Sequence, residues 1–224
     1  MNKSSKHFEE LQKLISEISN ELQETSYLTG ISTLSPRLVQ AFEEVPRHAF
    51  IATPLQNQAY EDRPLSIRYG QTISQPFNVA LMTELLDVKK TDIILKIGTG
   101  SGWQAAILSK LCRHVFTIEI IPELAKSAES TFNSLGYTNV QIRIGTGWEG
   151  WPENAPYDRI IITAAAETVP TALLTQLKPG GKMIIPLGKQ GESQTLTLII
   201  KDKMRNFLHQ PILPVAFVPF VNNK

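Results

Sequence analysis

Three glycines alternate with hydroxyl residues in Gly98-Thr99-Gly100-Ser101-Gly102, behind the apolar run Ile93-Ile94-Leu95-Lys96-Ile97 and ahead of Trp103-Gln104-Ala105-Ala106-Ile107-Leu108. A strand that turns this sharply into a helix brings bare backbone close to a ligand, the arrangement that receives nucleotide-like molecules. The turn alone does not choose among nicotinamide, flavin and methyl-donor cofactors, which all use it. Glu119 narrows the choice. It closes the short apolar strand 114–119, 21 positions after Gly98, where a carboxylate accepts hydrogen bonds from both ribose hydroxyls. Taken singly, the two features read equally well as a structural turn and a solvated glutamate; at this spacing they favour adenosine binding.

Other reactive residue types are sparse. His7, His48, His114 and His209 show no close metal-binding spacing, and the single Cys112 sits at an apolar helix end where burial is the expectation. Ser74 stands two residues ahead of Pro76, where a serine caps a helix well. Trp148 and Trp151 read as cover for core surface, stacking on an adenine being the other option.

The elements that must position these residues follow from periodicity. Phe8, Leu11, Ile15, Ile18 and Leu22 recur at helical spacing, which predicts a helix over 6–24 packed by one face. Ser35 and Pro36 supply a cap and a first-turn proline for a second helix through Glu44. Residues 45–75 are proline-punctuated with little periodicity, a long connection of the kind that carries function. From Pro76 the pattern predicts helix 76–86, strand 92–97, helix 102–111, strand 114–119, helix 122–135 and strand 139–144. Strand 158–163, helix 170–177, strand 182–187 and two strands over 194–201 and 212–218 complete it. Strands alternating with helices imply right-handed crossovers and a parallel sheet, an α/β fold.

At 224 residues the chain suits one compact unit, with 1–75 as helices and a loop packed on a core of 76–224. A net charge of +1 gives no field to attract nucleic acid or an anionic membrane, so neither is an expected partner. No apolar run approaches the roughly 20 residues that cross a bilayer. The first 24 residues lack the apolar core of a signal peptide, which makes the cytoplasm the expected location. A monomer is expected, since no coiled-coil seam is evident.

From Val45 onward the chain resembles the protein-L-isoaspartate (D-aspartate) O-methyltransferases. The resemblance rests on Val45-Pro46-Arg47-His48-Ala49-Phe50, Ala59-Tyr60, Gly70-Gln71-Thr72-Ile73-Ser74-Gln75-Pro76, Ile97 to Gly102, Ile162-Thr163-Ala164-Ala165, Leu177-Lys178-Pro179-Gly180-Gly181 and Phe217-Val218-Pro219. The glycine turn and the Pro-Gly-Gly loop recur across class I methyltransferases, whereas the Gln-Thr-Ile-Ser-Gln-Pro block is close to diagnostic of this one family. The resemblance implies a Rossmann-like, doubly wound class I methyltransferase sheet with extra N-terminal helices. It also implies S-adenosylmethionine as cofactor, S-adenosylhomocysteine as product, and methyl transfer to the free carboxylate of isoaspartyl residues in damaged proteins and peptides. Carried onto this sequence, Ser74 would hydrogen-bond the reacting carboxylate, with Thr72, Ile73, Thr163, Ala164, Val215, Phe217 and Val218 at the substrate. Gln71, Thr72, Gly98, Thr99, Gly100, Ser101, Gly102, Glu119, Ile120, Thr146, Gly147 and Thr163 would hold the cofactor.

Three positions depart from the family pattern. Lys96 replaces an acid two residues before the first glycine. A lysine aimed at the cofactor's ammonium and sulfonium repels each by about 1 kcal/mol in water and about 4 kcal/mol at an intermediate dielectric, at ~4 Å, unless it turns away. Thr146 stands where relatives use an aspartate to accept from the adenine amine, so a charge-assisted contact becomes a neutral one. Ser66-Ile67-Arg68 replaces Pro-Ile-Gly and puts a cation in the substrate-side loop, to pair with an acidic substrate or to block it. Two other readings stand beside repair methylation: a diverged relative that only binds ligand or acts on another carboxylate, and a redox enzyme on a dinucleotide, which the blocks outside the turn disfavour.

Overall fold

A computed structural model describes residues 3–189 and 191–221 of the chain. The regular pattern downstream of Pro76 builds a seven-stranded sheet from β3 (Ile93–Ile97), β4 (His114–Glu119), β5 (Val140–Ile144), β6 (Tyr157–Ile162), β7 (Leu177–Leu187), β8 (Gln194–Lys201) and β9 (Phe207–Val215). Its order is β5-β4-β3-β6-β7-β8-β9, and β1 (Leu65–Arg68) and β2 (Gln71–Ile73) form a separate hairpin. Strands β5, β4, β3, β6 and β7 run parallel, and β8 and β9 turn back antiparallel. The order reverses at β3, whose neighbours are β4 and β6, and a crevice outside the carboxyl ends at such a switch point is where open α/β sheets bind ligands.

Both faces of the parallel strands are covered, so they read as apolar runs. On one face α3 (Pro76–Leu86) and α4 (Trp103–Leu111) pack with Ile94, Ile161 and Ile184, joined by Phe132 of α5 (Pro122–Leu135). The same cluster takes in Leu11, Leu14, Ile15, Ile18 and Leu22 of α1 (Lys3–Thr29) and Leu38, Ala41 and Phe42 of α2 (Pro36–Glu44). On the opposite face Leu95, Ile97, Ile160, Ile162 and Met183 meet Trp151, Tyr157 and Leu173 of α6 (Thr171–Gln176). Cys112 is buried, which pushes its thiol up to about 12.

Several boundaries differ from the sequence expectation. Helix α1 runs from Lys3 to Thr29, and Phe8 lies 58% exposed, its expected place on the packed face taken by Leu14. The final strand spans Phe207–Val215, not 212–218. Pro211 and Pro214 read as breaks in sequence, but the edge position of β9 tolerates residues that cannot donate to a ladder. Strand β7 begins at Leu177 and absorbs Pro179-Gly180-Gly181 through a register slip against β6. The long connection 45–75 is organised into two 3-10 turns, Arg47–Phe50 and Thr53–Gln58, followed by the hairpin.

Candidate active site

The carboxyl ends of β3, β4 and β6 open into a cavity of about 870 Å³. Gln71, Thr72, Gly98, Thr99, Gly100, Ser101, Glu119, Ile120, Gly147 and Thr163 line it on the side expected for a cofactor. Ile73, Ser74, Ala164, Val215, Phe217 and Val218, expected at the substrate, line the same space. Gly98 has φ +83°, and a Cβ there would lie 2.8 Å from the Thr163 hydroxyl, so the turn demands glycine on both counts.

Glu119 is 5% exposed; one oxygen accepts from the Gly100 amide at 2.8 Å and the other from the Ile121 amide at 3.0 Å. A carboxylate offers about four lone-pair positions, so capacity for a pair of hydroxyls is left. The Thr163 hydroxyl is engaged within the fold: it lies 3.1 Å from both the Ile97 and Gly98 carbonyls and accepts from Lys96 Nζ at 3.0 Å. Lys96, 2% exposed, also donates to the Gly98 carbonyl, so its ammonium is turned onto the end of its own strand while it still lines the cavity. Burial pushes it down to about 7, with the nearby Glu119 charge working the other way.

Ser74 does not cap the helix that follows it. The N-cap of α3 is Gln75, without a side-chain bond, and the Phe77 amide is held instead by Asp62 Oδ1 at 2.9 Å. Among the described residues the Ser74 hydroxyl makes no hydrogen bond within the chain. Its backbone is fixed by Arg47, which is 1% exposed and donates to the carbonyls of Ala59 (2.7 Å), Glu61 (3.3 Å), Arg63 (3.0 Å) and Ser74 (3.0 Å). The guanidinium also lies 5.1 Å from the Trp103 ring centroid. Sequence reasoning passed over both Arg47 and Asp62; the available signal was an arginine set among Val45, Ala49 and Phe50.

The C-terminal segment reaches the cavity by leaving the sheet edge. Beyond β9 the chain returns to the loop after β6, with Ala165 N donating to Val218 O at 2.8 Å and Phe220 N to Ala165 O at 2.7 Å. The Gln194 side chain clamps it, accepting from Phe217 N at 2.6 Å and donating to Phe217 O at 3.0 Å. Residues 216–219, beyond the end of β9 at Val215, are therefore a strap of backbone along the cavity and not the continuation of the strand expected over 212–218.

Three of the positions singled out in the sequence fall outside the lining of this cavity. Thr146 does not line the cavity: its hydroxyl accepts from the Trp148 amide at 3.4 Å, and Gly145 and Gly147 present the wall in its place. Gly102 does not line it either, because it heads α4 and packs on Phe132, 2.8 Å from where a Cβ would stand. Arg68 lines a second, smaller cavity of about 360 Å³ with Ser66, Tyr69 and Glu123, and is not among the residues that line the main one. Trp151 is 8% exposed and belongs to the core, and Trp148, stacked on Phe220 at 4.9 Å between centroids, packs partly buried against it.

A model of the protein-L-isoaspartate(D-aspartate) O-methyltransferase family matches residues 17–224. Protein-L-isoaspartate O-methyltransferase 2 of Syntrophobacter fumaroxidans is 49% identical over 207 residues, 92% of this chain and 84% of that one. Protein-L-isoaspartate O-methyltransferase 2 of a Polaromonas species is 46% identical over 211 residues, 94% of this chain and 100% of its own. A solved protein-L-isoaspartate O-methyltransferase superposes with a TM-score of 0.82 at 30% identity, covering 95% of this chain and 66% of that one. With nearly its whole length matched, the chain belongs to the protein-L-isoaspartate(D-aspartate) O-methyltransferase family.

Proposed function

We propose that this protein transfers a methyl group from S-adenosylmethionine to the free carboxylate of L-isoaspartyl residues, initiating repair of damaged proteins. The observation that carries the reading is a single cavity lined by the glycine turn, Glu119, Ser74 and the Val215–Val218 strap. The residues present fit an adenosyl group: about 870 Å³ of space, a glycine turn without side chains, and a buried carboxylate with acceptor capacity for ribose.

When bound, the sulfonium supplies a methyl electrophile. The acceptor needs no base, because a carboxylate with an ordinary pKa of about 4 is already an anion at neutral pH. What the chain must provide is alignment. Ser74, its backbone fixed by Arg47 and its hydroxyl free, can donate to one carboxylate oxygen while leaving the other to react. Ile73, Val215 and Phe217 supply apolar wall that limits water, and the strap offers backbone groups to a peptide. Glu119 and the glycine turn orient the nucleoside. We further infer a monomer that acts in the cytoplasm on isoaspartyl proteins, without nucleic acid or membrane; the near-neutral net charge of +1 supports this, and no described helix is long and apolar enough to cross a membrane.

The test is methyl transfer to an isoaspartyl peptide against its aspartyl twin. Methylation of the isoaspartyl form alone is expected; equal or absent methylation of both, with S-adenosylhomocysteine still bound, would replace the reading by one of ligand binding or another acceptor.

A further inference from the structure

Two buried polar side chains line the cavity without a part in the chemistry above. Lys96 directs its Nζ at the Gly98 carbonyl and the Thr163 hydroxyl, which leaves one of an ammonium's three N–H donors. Gln104, on the first turn of α4 and 6% exposed, lines the same cavity, and neither its Oε1 nor its Nε2 has a hydrogen-bond partner among the described residues. Native interiors rarely leave both ends of a buried amide unpaired, so the pair of orphans points to a polar ligand group. An ammonium donor and an amide donor beside the glycine turn match an anion with two oxygens.

We propose that Lys96 and Gln104 form a receptor for the carboxylate of the cofactor's methionyl tail, so that this chain holds the tail by its acid and not by its amine. The inference rests on the methyl-donor reading. An acid at position 96 would attract the tail's ammonium; lysine inverts which half of the zwitterion is favoured. The incoming carboxylate also neutralises the cation that would otherwise stand unpaired near a sulfonium. The charged neighbour on β4 is Glu119, each of whose oxygens accepts from one backbone amide, while β6 and α4 present the neutral Thr163 and Gln104.

Calorimetric titration of the full chain with S-adenosylhomocysteine, its decarboxylated analogue and its deaminated analogue separates the two halves of the tail. Loss of the carboxylate is expected to weaken binding on the order of tenfold or more, and loss of the amine by less than about threefold. In Lys96→Met the carboxylate penalty should fall below about threefold, and Gln104→Leu, which fills the same buried space, should reduce it in part. A carboxylate penalty equal in the unaltered chain and Lys96→Met, or an amine penalty larger than the carboxylate penalty, overturns the proposal, and an unchanged penalty in Gln104→Leu removes Gln104 from it. If S-adenosylhomocysteine binds with an indifferent tail, only this inference falls; if it does not bind, the methyl-donor reading falls first.

Discussion

Replacing Lys96 by methionine should stabilise the fold, and by an amount that depends on pH in a fixed direction. Burial holds the Lys96 ammonium at about 7, down from 10.5. Between those values the unfolded chain binds a proton that the native chain does not, so native stability rises with pH across the window. At pH 7 the linked cost of burying the amine is about 4 kcal/mol, shrinking by about 1.4 kcal/mol per pH unit toward pH 10. Truncation orphans little, because Thr163 Oγ1 still lies 3.1 Å from the Gly98 carbonyl, and the lost hydrogen bonds offset only about 1 kcal/mol each. Urea unfolding of both proteins at half-unit steps from pH 7 to 9.5 measures the difference. Lys96→Met should be the more stable at pH 7 with the gap closing as pH rises. A constant gap would show that folding leaves the Lys96 ammonium unperturbed, and a widening one that folding favours its protonated form; either result refutes the reasoning.

Ser74→Ala should lower kcat for an isoaspartyl peptide by about tenfold to a hundredfold while leaving the Kd for S-adenosylhomocysteine within about twofold; equal turnover would remove Ser74 from the reaction. Arg47→Met strips the donor from four carbonyls, one buried and three partly buried, and should destabilise by about 3 kcal/mol in denaturant unfolding. Arg68→Gly relieves a non-glycine residue at φ +78°, a strain of about 1 kcal/mol partly offset by unfolded-chain entropy, so a net gain of about 0.5 kcal/mol is expected in thermal unfolding. Glu21 lines the cavity beside Asp62, and burial, then Asp62, pushes its carboxyl up from 4.5 to about 7. The native chain keeps that proton over the window in which the unfolded chain has lost it, so stability from this group falls as pH rises. Glu21→Gln should therefore stabilise by about 1 kcal/mol at pH 8, after allowance for solvent screening, and by nothing at pH 4.

The sheet was legible because its signal is local. Apolar runs with both faces buried, glycine turns and the Ser35-Pro36 cap each occupy a few consecutive residues, and the cap is realised by Ser35 Oγ accepting from Leu38 N at 3.3 Å. Spacing likewise placed the glycine turn and Glu119 at adjacent strand ends, since parallel strands joined by one helix align their termini. What escaped was long-range and directed at backbone. Arg47 binds carbonyls 12 to 27 residues away, and Asp62 caps a helix 15 residues on. The return of the C-terminal strap to Ala165 depends on bridges that no periodicity encodes. Lys96 and Thr146 were visible as residue types, but which way each pointed was set by the nearest carbonyl or amide, beyond the reach of composition.

The most direct measurement is a crystal structure of the full chain with S-adenosylhomocysteine and an isoaspartyl peptide. The nucleoside should lie on the glycine turn with its ribose at Glu119, the peptide along the Val215–Val218 strap, and the isoaspartyl carboxylate within hydrogen-bonding distance of Ser74 Oγ and facing the sulfur. A nucleoside outside this cavity, or a peptide carboxylate held away from both Ser74 and the sulfur, would contradict it.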